Sequence, residues 1–245
     1  MGTTGFHLFK RTTQYRAACD PTPAQRRRRD ILELAGIYSL ILLVIWTPRP
    51  WQWALWVIAA LCVTGVIALS FDGLKTMGIC TENLRQSLWA IPLAAAIALL
   101  SIALAGRLHT LRLPHSPYLF VRHYAWYAIW AGLQQLILQC FFLARSVRLI
   151  PNATAAAALS AALFAVAHLP NPVLTLVTLV CGLASCLFFL RYKNLWPLAV
   201  AHAILGIAIA ITVPGNLDHN MRVGISYLTW VDRPILSESV PIPNP

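Results

Sequence analysis

Seven long apolar runs leave this chain few folds to adopt. They lie at about residues 32–47, 51–70, 88–106, 118–144, 153–169, 172–190 and 195–213. A bilayer hydrocarbon core needs roughly 17–25 apolar residues per spanning helix, and nearly every run has that length. The runs are continuous and rich in Leu and Ala rather than alternating, which argues against a transmembrane barrel. Charged residues make up 11% and hydrophobic residues 58% of the 245 residues, whereas a soluble domain carries about 25% charged residues. The expected fold class is all-α: a polytopic membrane helical bundle of seven or eight spans. The first run is short, and the breaks at Pro48–Pro50 and Pro170–Pro172 are tight, which suits helical hairpins.

The net charge is +11, and its placement orients the bundle. Lys10, Arg11, Arg16 and Arg26–Arg29 precede the first run. With that end inside, Lys75, Arg85, Arg145, Arg148, Arg191 and Lys193 also fall inside, so 13 cations face one side and six the other. The positive-inside rule then predicts a cytoplasmic N-terminus, here in a bacterial cell (inner) membrane. An Arg run next to an apolar span is a topology and headgroup anchor, so membrane lipids are expected partners and nucleic acid is not. Three regions are expected: a basic cytoplasmic segment over 1–30, a helical membrane domain over 31–213 and a polar tail over 214–245. Within the domain, 71–87 (FDGLKTMGICTENLRQS) suits a short interfacial helix. The first run lacks a small-residue cleavage site, so it reads as a retained span. The six cysteines are scattered without a C-x-x-C and read as small buried hydrophobes.

Polar groups inside lipid are costly, so their positions carry information. The fourth run holds Gln134, Gln135 and Gln139, the fifth ends on His168, and the last contains His202. Gln135 and Gln139 are four apart and share a helix face. An amide without partners in an apolar medium costs on the order of 2–7 kcal/mol, so these side chains are expected to point into the bundle. Counting about 1.5 Å of rise per residue from the Arg148 turn brings Gln134 and His168 to similar depth.

These residues carry a resemblance. Gln134–Gln139 reads QQLILQ, residues 164–168 read FAVAH, and residues 202–206 read HAILG. Their order and spacing over about 70–213 resemble the CPBP family of intramembrane proteases, also called the CAAX-protease or abortive-infection family. Its motifs are E-E-x-x-x-R, F-x-x-x-H and H-x-x-x-N. The resemblance implies a CAAX-prenyl-protease-like membrane protein with a prenylated or other lipid substrate. It also implies candidate catalytic positions at Gln134 (water activation), Gln135, His168 and His202. Gln139 stands where the family has Arg, and Gly206 where it has Asn. A carboxylate accepts a proton from water and a neutral amide does not. No acidic residue falls between Glu82 and Asp218. The three glutamines thus read as an uncharged version of an ionic network, and the chain as a pseudoenzyme candidate.

Each residue keeps a plainer reading beside this one. The glutamines are either interhelical hydrogen-bond glue or the wall of a polar pocket. His168 and His202 are either structural or part of a site, where an imidazole is the remaining general base. Two histidines fall short of the three protein ligands of a catalytic zinc, so neither metal nor cofactor is expected. Asn171 either caps a turn or supplies the amide missing at Gly206. Asp218, His219 and Asn220 read as a solvated loop, and Arg122 and His123 as snorkelling side chains. Tyr124, Trp126, Tyr127 and Trp130 suit an aromatic belt or the lining of a lipid access path. Three functions remain open: a CAAX-type peptidase, a non-proteolytic lipid- or isoprenoid-binding protein, and a membrane enzyme acting on a lipid through His168 or His202.

Overall fold

The computed structural model describes residues 22–71, 73–114 and 116–230, which contain helices, turns and no strand. Lys10, Arg11, Arg16, Cys19 and the expected tail from residue 231 onward lie outside the described residues. The long helices are α1 (Pro23–Trp46), α2 (Trp51–Leu69), α4 (Ala90–Arg107), α5 (Pro117–Leu136), α7 (Ala153–Val166), α8 (Pro172–Tyr192) and α9 (Trp196–Thr212). One-turn helices α3 (Leu84–Ser87), α10 (Gly215–Asp218) and α11 (Ile225–Leu228) sit in the connections. A π-helical segment, Ile137–Leu143, joins α5 to α6 (Ala144–Leu149), so the fourth apolar run is one rod with a widened middle.

Three helices start on the same local chemistry. Thr22, Ser116 and Asn171 each accept a hydrogen bond from a backbone N–H in the first turn, and a proline follows each. A capping side chain satisfies an orphan donor, and proline at the first helical position loses no bond. At Thr22 the Gln25 side chain also accepts from the cap's own N–H, at 2.7 Å, a capping box.

The core is built on close backbone approach. Ala156, Ala157 and Ala161 on α7 are fully buried, and α7 packs along α8. A Cβ placed on Gly182 of α8 would meet Ala161 at 3.5 Å. Small faces let helices approach where lipid tails remove the hydrophobic incentive to associate. The outward faces are apolar: Leu61, Leu99, Leu100, Ile129 and Leu176 are all exposed. Such a surface needs a hydrocarbon solvent. Four helical stretches, Trp51–Leu69, Leu84–Arg107, Pro117–Leu149 and Pro172–Tyr192, are long and apolar enough to cross a bilayer, while Ala153–Val166 and Trp196–Thr212 are apolar but shorter.

A pair of ionic clamps fastens α1 to the end of the π-helical rod. Arg148 grips Asp30 through two bonds, at 2.8 and 2.7 Å. Arg145, fully buried, donates to Glu33 Oε2 from Nε at 2.9 Å and Nη2 at 2.7 Å. Its Nη2 also reaches Ser70 Oγ at 3.1 Å, and its Nη1 the Phe141 carbonyl at 3.3 Å. Two carboxylates and two guanidiniums therefore satisfy one another at one end of the bundle. Burial pushes the Asp30 carboxyl up, but Arg148, Arg145 and Arg29 outweigh it and hold the carboxyl below its usual 3.8. The clamp's contribution is complete above that value and disappears as pH falls through the depressed one.

The structure corrects the reading of 71–87. Among the described residues of that stretch only Leu84–Ser87 is helical. The preceding loop spends its polar groups on the α8–α9 turn instead. Leu195 N–H donates to the Gly78 carbonyl at 2.9 Å, and Asn194 Nδ2 donates to the Cys80 and Glu82 carbonyls, each at 3.0 Å. The cysteines also differ from expectation: Cys186 is buried, but Cys62 and Cys181 are exposed.

Removing one partner of a buried ion pair costs about 3–5 kcal/mol, whereas an apolar replacement of both is close to neutral. Glu33→Gln is therefore expected to lower the unfolding temperature in detergent strongly, and Glu33→Gln with Arg145→Met to recover most of the loss.

Candidate functional site

Gln134 and Gln135 close α5, and Gln139 lies in the π segment that follows. Gln135 and Gln139 are buried, at 5% and 1% exposure; Gln134 is half-buried. They meet Ser185 of α8 and His202 of α9 in a chain of hydrogen bonds whose direction is determined. The Ser185 hydroxyl donates to the Gly182 carbonyl at 3.0 Å. A serine has one hydroxyl proton, so toward Gln139 it accepts, and the atom of Gln139 facing it, 3.3 Å away, is Nε2. The same Nε2 donates to Gln135 Oε1 at 3.1 Å. Gln135 is left with Nε2 toward His202 Nδ1, at 3.0 Å. His202 Nδ1 is therefore an acceptor, and the ring proton sits on Nε2.

His168 is set the opposite way. Its Nδ1 lies 2.7 Å from the Phe164 carbonyl, which only accepts, so Nδ1 carries the proton and Nε2 the lone pair. The Phe164 ring stands between the two imidazoles, with centroids 4.8 Å from His168 and 6.2 Å from His202, both edge-on. One histidine offers a free acceptor and the other a free donor. The orphan of this scheme is Gln139 Oε1, buried without a partner.

Gln134, Gln135, His168 and His202 all line a cavity of about 2170 Å³. That exceeds the several hundred Å³ of an ordinary small-molecule pocket and suits a lipid-sized occupant. Apolar side chains such as Trp53, Trp56, Leu93, Ile97 and Trp130 form much of the wall, and no described Asp or Glu lines it. Glu33 is committed to Arg145. Among the described residues no group of three His, Cys, Asp or Glu side chains is placed to hold a metal ion.

The space at the third motif's last position is filled from another helix. Gly206 lies one turn after His202, and a Cβ there would collide with the Tyr127 hydroxyl and ring. The phenol thus occupies the space that a larger residue would fill. Tyr127 lines the cavity, and its hydroxyl has no hydrogen-bond partner among the described residues. The sequence left Tyr124 and Tyr127 between an aromatic belt and the lining of a lipid access path; both line the cavity, and Tyr124 is buried, at 9% exposure. The signal available was spacing: Tyr127 precedes Gln134 by seven residues, two helical turns on one face. Thr178 and Ser185 on α8 show the same interval, and Ser185 was missed for the same reason.

The loop after α9 is a second correction. Asp218, expected in solvent, is fully buried. It sits 3.8 Å from Arg112, whose guanidinium also bonds Asn220 Oδ1 at 2.6 Å, the Ala210 carbonyl at 3.1 Å and the Val213 carbonyl. Burial raises the Asp218 carboxyl, partly offset by the Asn220 N–H and Arg112. His219 stacks on Tyr227 and Trp230 at 3.9 and 4.5 Å. Asn171 binds this loop, donating to the Asp218 and Arg222 carbonyls at 2.7 and 3.0 Å while capping α8. Its amide is consumed structurally and does not substitute for the missing side chain at 206. Arg122 and His123 are exposed, at the cavity rim.

Overpacking a closed contact costs about 1–3 kcal/mol. Gly206→Ala is expected to lower the unfolding temperature, and the added Tyr127→Ala to restore part of it; Tyr127→Phe alone, which removes only the oxygen, is expected to leave it nearly unchanged.

A family model, type II CAAX prenyl endopeptidase Rce1-like, matches residues 124–208. No curated protein and no solved structure matches the chain. The matched stretch begins at Tyr124 on α5 and ends at Ala208 on α9, so it encloses all three glutamines, Ser185, both histidines and Gly206. Together with four helices among the described residues that are apolar enough to cross a bilayer, the match identifies an integral membrane protein in which residues 124–208 are similar to the type II CAAX prenyl endopeptidase family.

Proposed function

We propose that this protein uses the CAAX-protease scaffold to bind a lipid or isoprenoid ligand in its central cavity, and does not hydrolyse peptides by a carboxylate mechanism. One observation carries the reading: no described carboxylate lines the cavity, and the amide in the second motif position is spent orienting His202. Gln134 holds a water or a ligand oxygen but takes no proton from it. The groups presented to a ligand are His168 Nε2 as acceptor, His202 Nε2–H and the Tyr127 hydroxyl as donors, and the Gln134 amide as both. Such a set recognises a polar group at the end of an apolar chain. In the surrounding bundle the seven long rods cross the membrane, with the N-terminus cytoplasmic in a bacterial inner membrane; the excess of Lys and Arg at that end supports this orientation.

A second reading has its own support. His168 Nε2 is an unengaged acceptor, placed to act as a general base on a lipid substrate, with His202 Nε2–H on the developing charge. Both readings are separated from peptidase activity by one assay. Detergent-purified protein incubated with prenylated and unmodified CAAX peptides is expected to give no cleavage above buffer, and its native mass spectrum to show a retained lipid. Cleavage that disappears in His168→Ala would restore the peptidase reading.

A further inference from the structure

The cavity's rim is cationic, and the topology of the bundle does not explain why. At one end of the bundle α1 and α9 terminate and α2, α5 and α8 begin. Among the described residues only five Lys and Arg fall on that side, Arg49, Arg107, Arg112, Arg122 and Arg222, yet all but Arg107 line the cavity. No described Asp or Glu lines it.

The four are not equally committed. Arg112 is half-buried and held by Asn220, two carbonyls and, at 3.8 Å, Asp218. Its Nε is buried and unpartnered. Arg49 lies 5.7 Å from the Trp53 ring centroid. The side chains of Arg122 and Arg222 are exposed and without a partner among the described residues. Arg222 is tied close to the polar centre, since its carbonyl accepts from Asn171, whose own N–H donates to the His168 carbonyl at 3.1 Å.

Like charges along the wall of a low-dielectric cleft focus a positive potential and call for an anion. Guanidinium groups bind phosphate in a planar, bidentate way. The walls below are apolar, so a free inorganic anion leaves most of the cavity without a complement. Resting on the lipid-cavity reading above, we infer that the ligand is a phosphate-headed amphiphile. Its head lies among Arg112, Arg122 and Arg222 beside His168, and its chain in the apolar cavity. A prenyl phosphate and an anionic phospholipid share this chemistry.

Binding of farnesyl diphosphate, farnesol, phosphatidylglycerol and inorganic diphosphate to full-length protein in detergent distinguishes the cases. Farnesyl diphosphate or phosphatidylglycerol is expected to bind at least about tenfold more tightly than farnesol, and the tighter of the two identifies the source of the head. Inorganic diphosphate is expected to bind weakly. Near a membrane surface each Arg is worth about 1 kcal/mol toward an anionic head, or about fivefold. Arg122→Gln and Arg222→Gln, both at exposed positions, are expected to weaken the charged amphiphiles by about that factor and to leave farnesol unchanged. Farnesol binding as tightly as its diphosphate, or charged-lipid affinity untouched by both substitutions, would overturn the inference while sparing the lipid cavity. Tight binding of inorganic diphosphate alone would also overturn it. Failure of every amphiphile to bind would remove the lipid-cavity reading itself.

Discussion

The Gly182 carbonyl, which can only accept, gives the chain of hydrogen bonds from Ser185 to His202 its direction. Ser185 must donate to it, so Gln139 must donate to Ser185 and to Gln135, and Gln135 must donate to His202. Reversing any one amide would set two donors or two acceptors against each other, at a cost of about 1–3 kcal/mol for each buried group left unmade. The relay thereby exports one piece of information from the helix backbone to the cavity: His202 presents an N–H. The Phe164 carbonyl does the same for His168 with the opposite result. The two-sided chemistry of the cavity follows from two backbone carbonyls and no charge.

The rest of the fold keeps that relay in register. The π-helical segment places Gln139 in the rod directly after the turn bearing Gln135, and π segments recur at functional sites. The Ala faces of α7 bring α8 close enough for Ser185 to reach across. The ions of the molecule are held away from the relay: Glu33 and Asp30 are bound by Arg145 and Arg148 at one end, and Asp218 by Arg112 at the other. Charge brought next to the glutamines without a partner would face the desolvation penalty that the clamps offset at the ends.

Much of this was readable from residue type. Runs of Leu and Ala located the seven rods, because a bilayer admits little else. The four-residue interval of Gln135 and Gln139 put both on one face, and their polarity required a protein-facing side. What escaped reading depended on contacts between distant segments. Asp218 looked solvated because its Arg112 partner is more than a hundred residues away. Tyr127 could not be decided between belt and cavity lining because its reason for facing inward, the missing side chain at Gly206, lies on another helix. The loop over 71–87 carried helix-forming residues, but its carbonyls were worth more to Asn194 and Leu195 than to a local helix. The π segment had no local signal.

The account stands on the ring protons of two histidines, and nitrogen-15 NMR of histidine-labelled protein in lipid nanodiscs reads them directly, with His168→Gln and His202→Gln variants assigning the signals. Opposite tautomers are predicted: His202 protonated at Nε2 and bare at Nδ1, His168 protonated at Nδ1 and bare at Nε2. A His202 protonated at Nδ1, or the same tautomer on both rings, would contradict the relay and the uncharged site built on it.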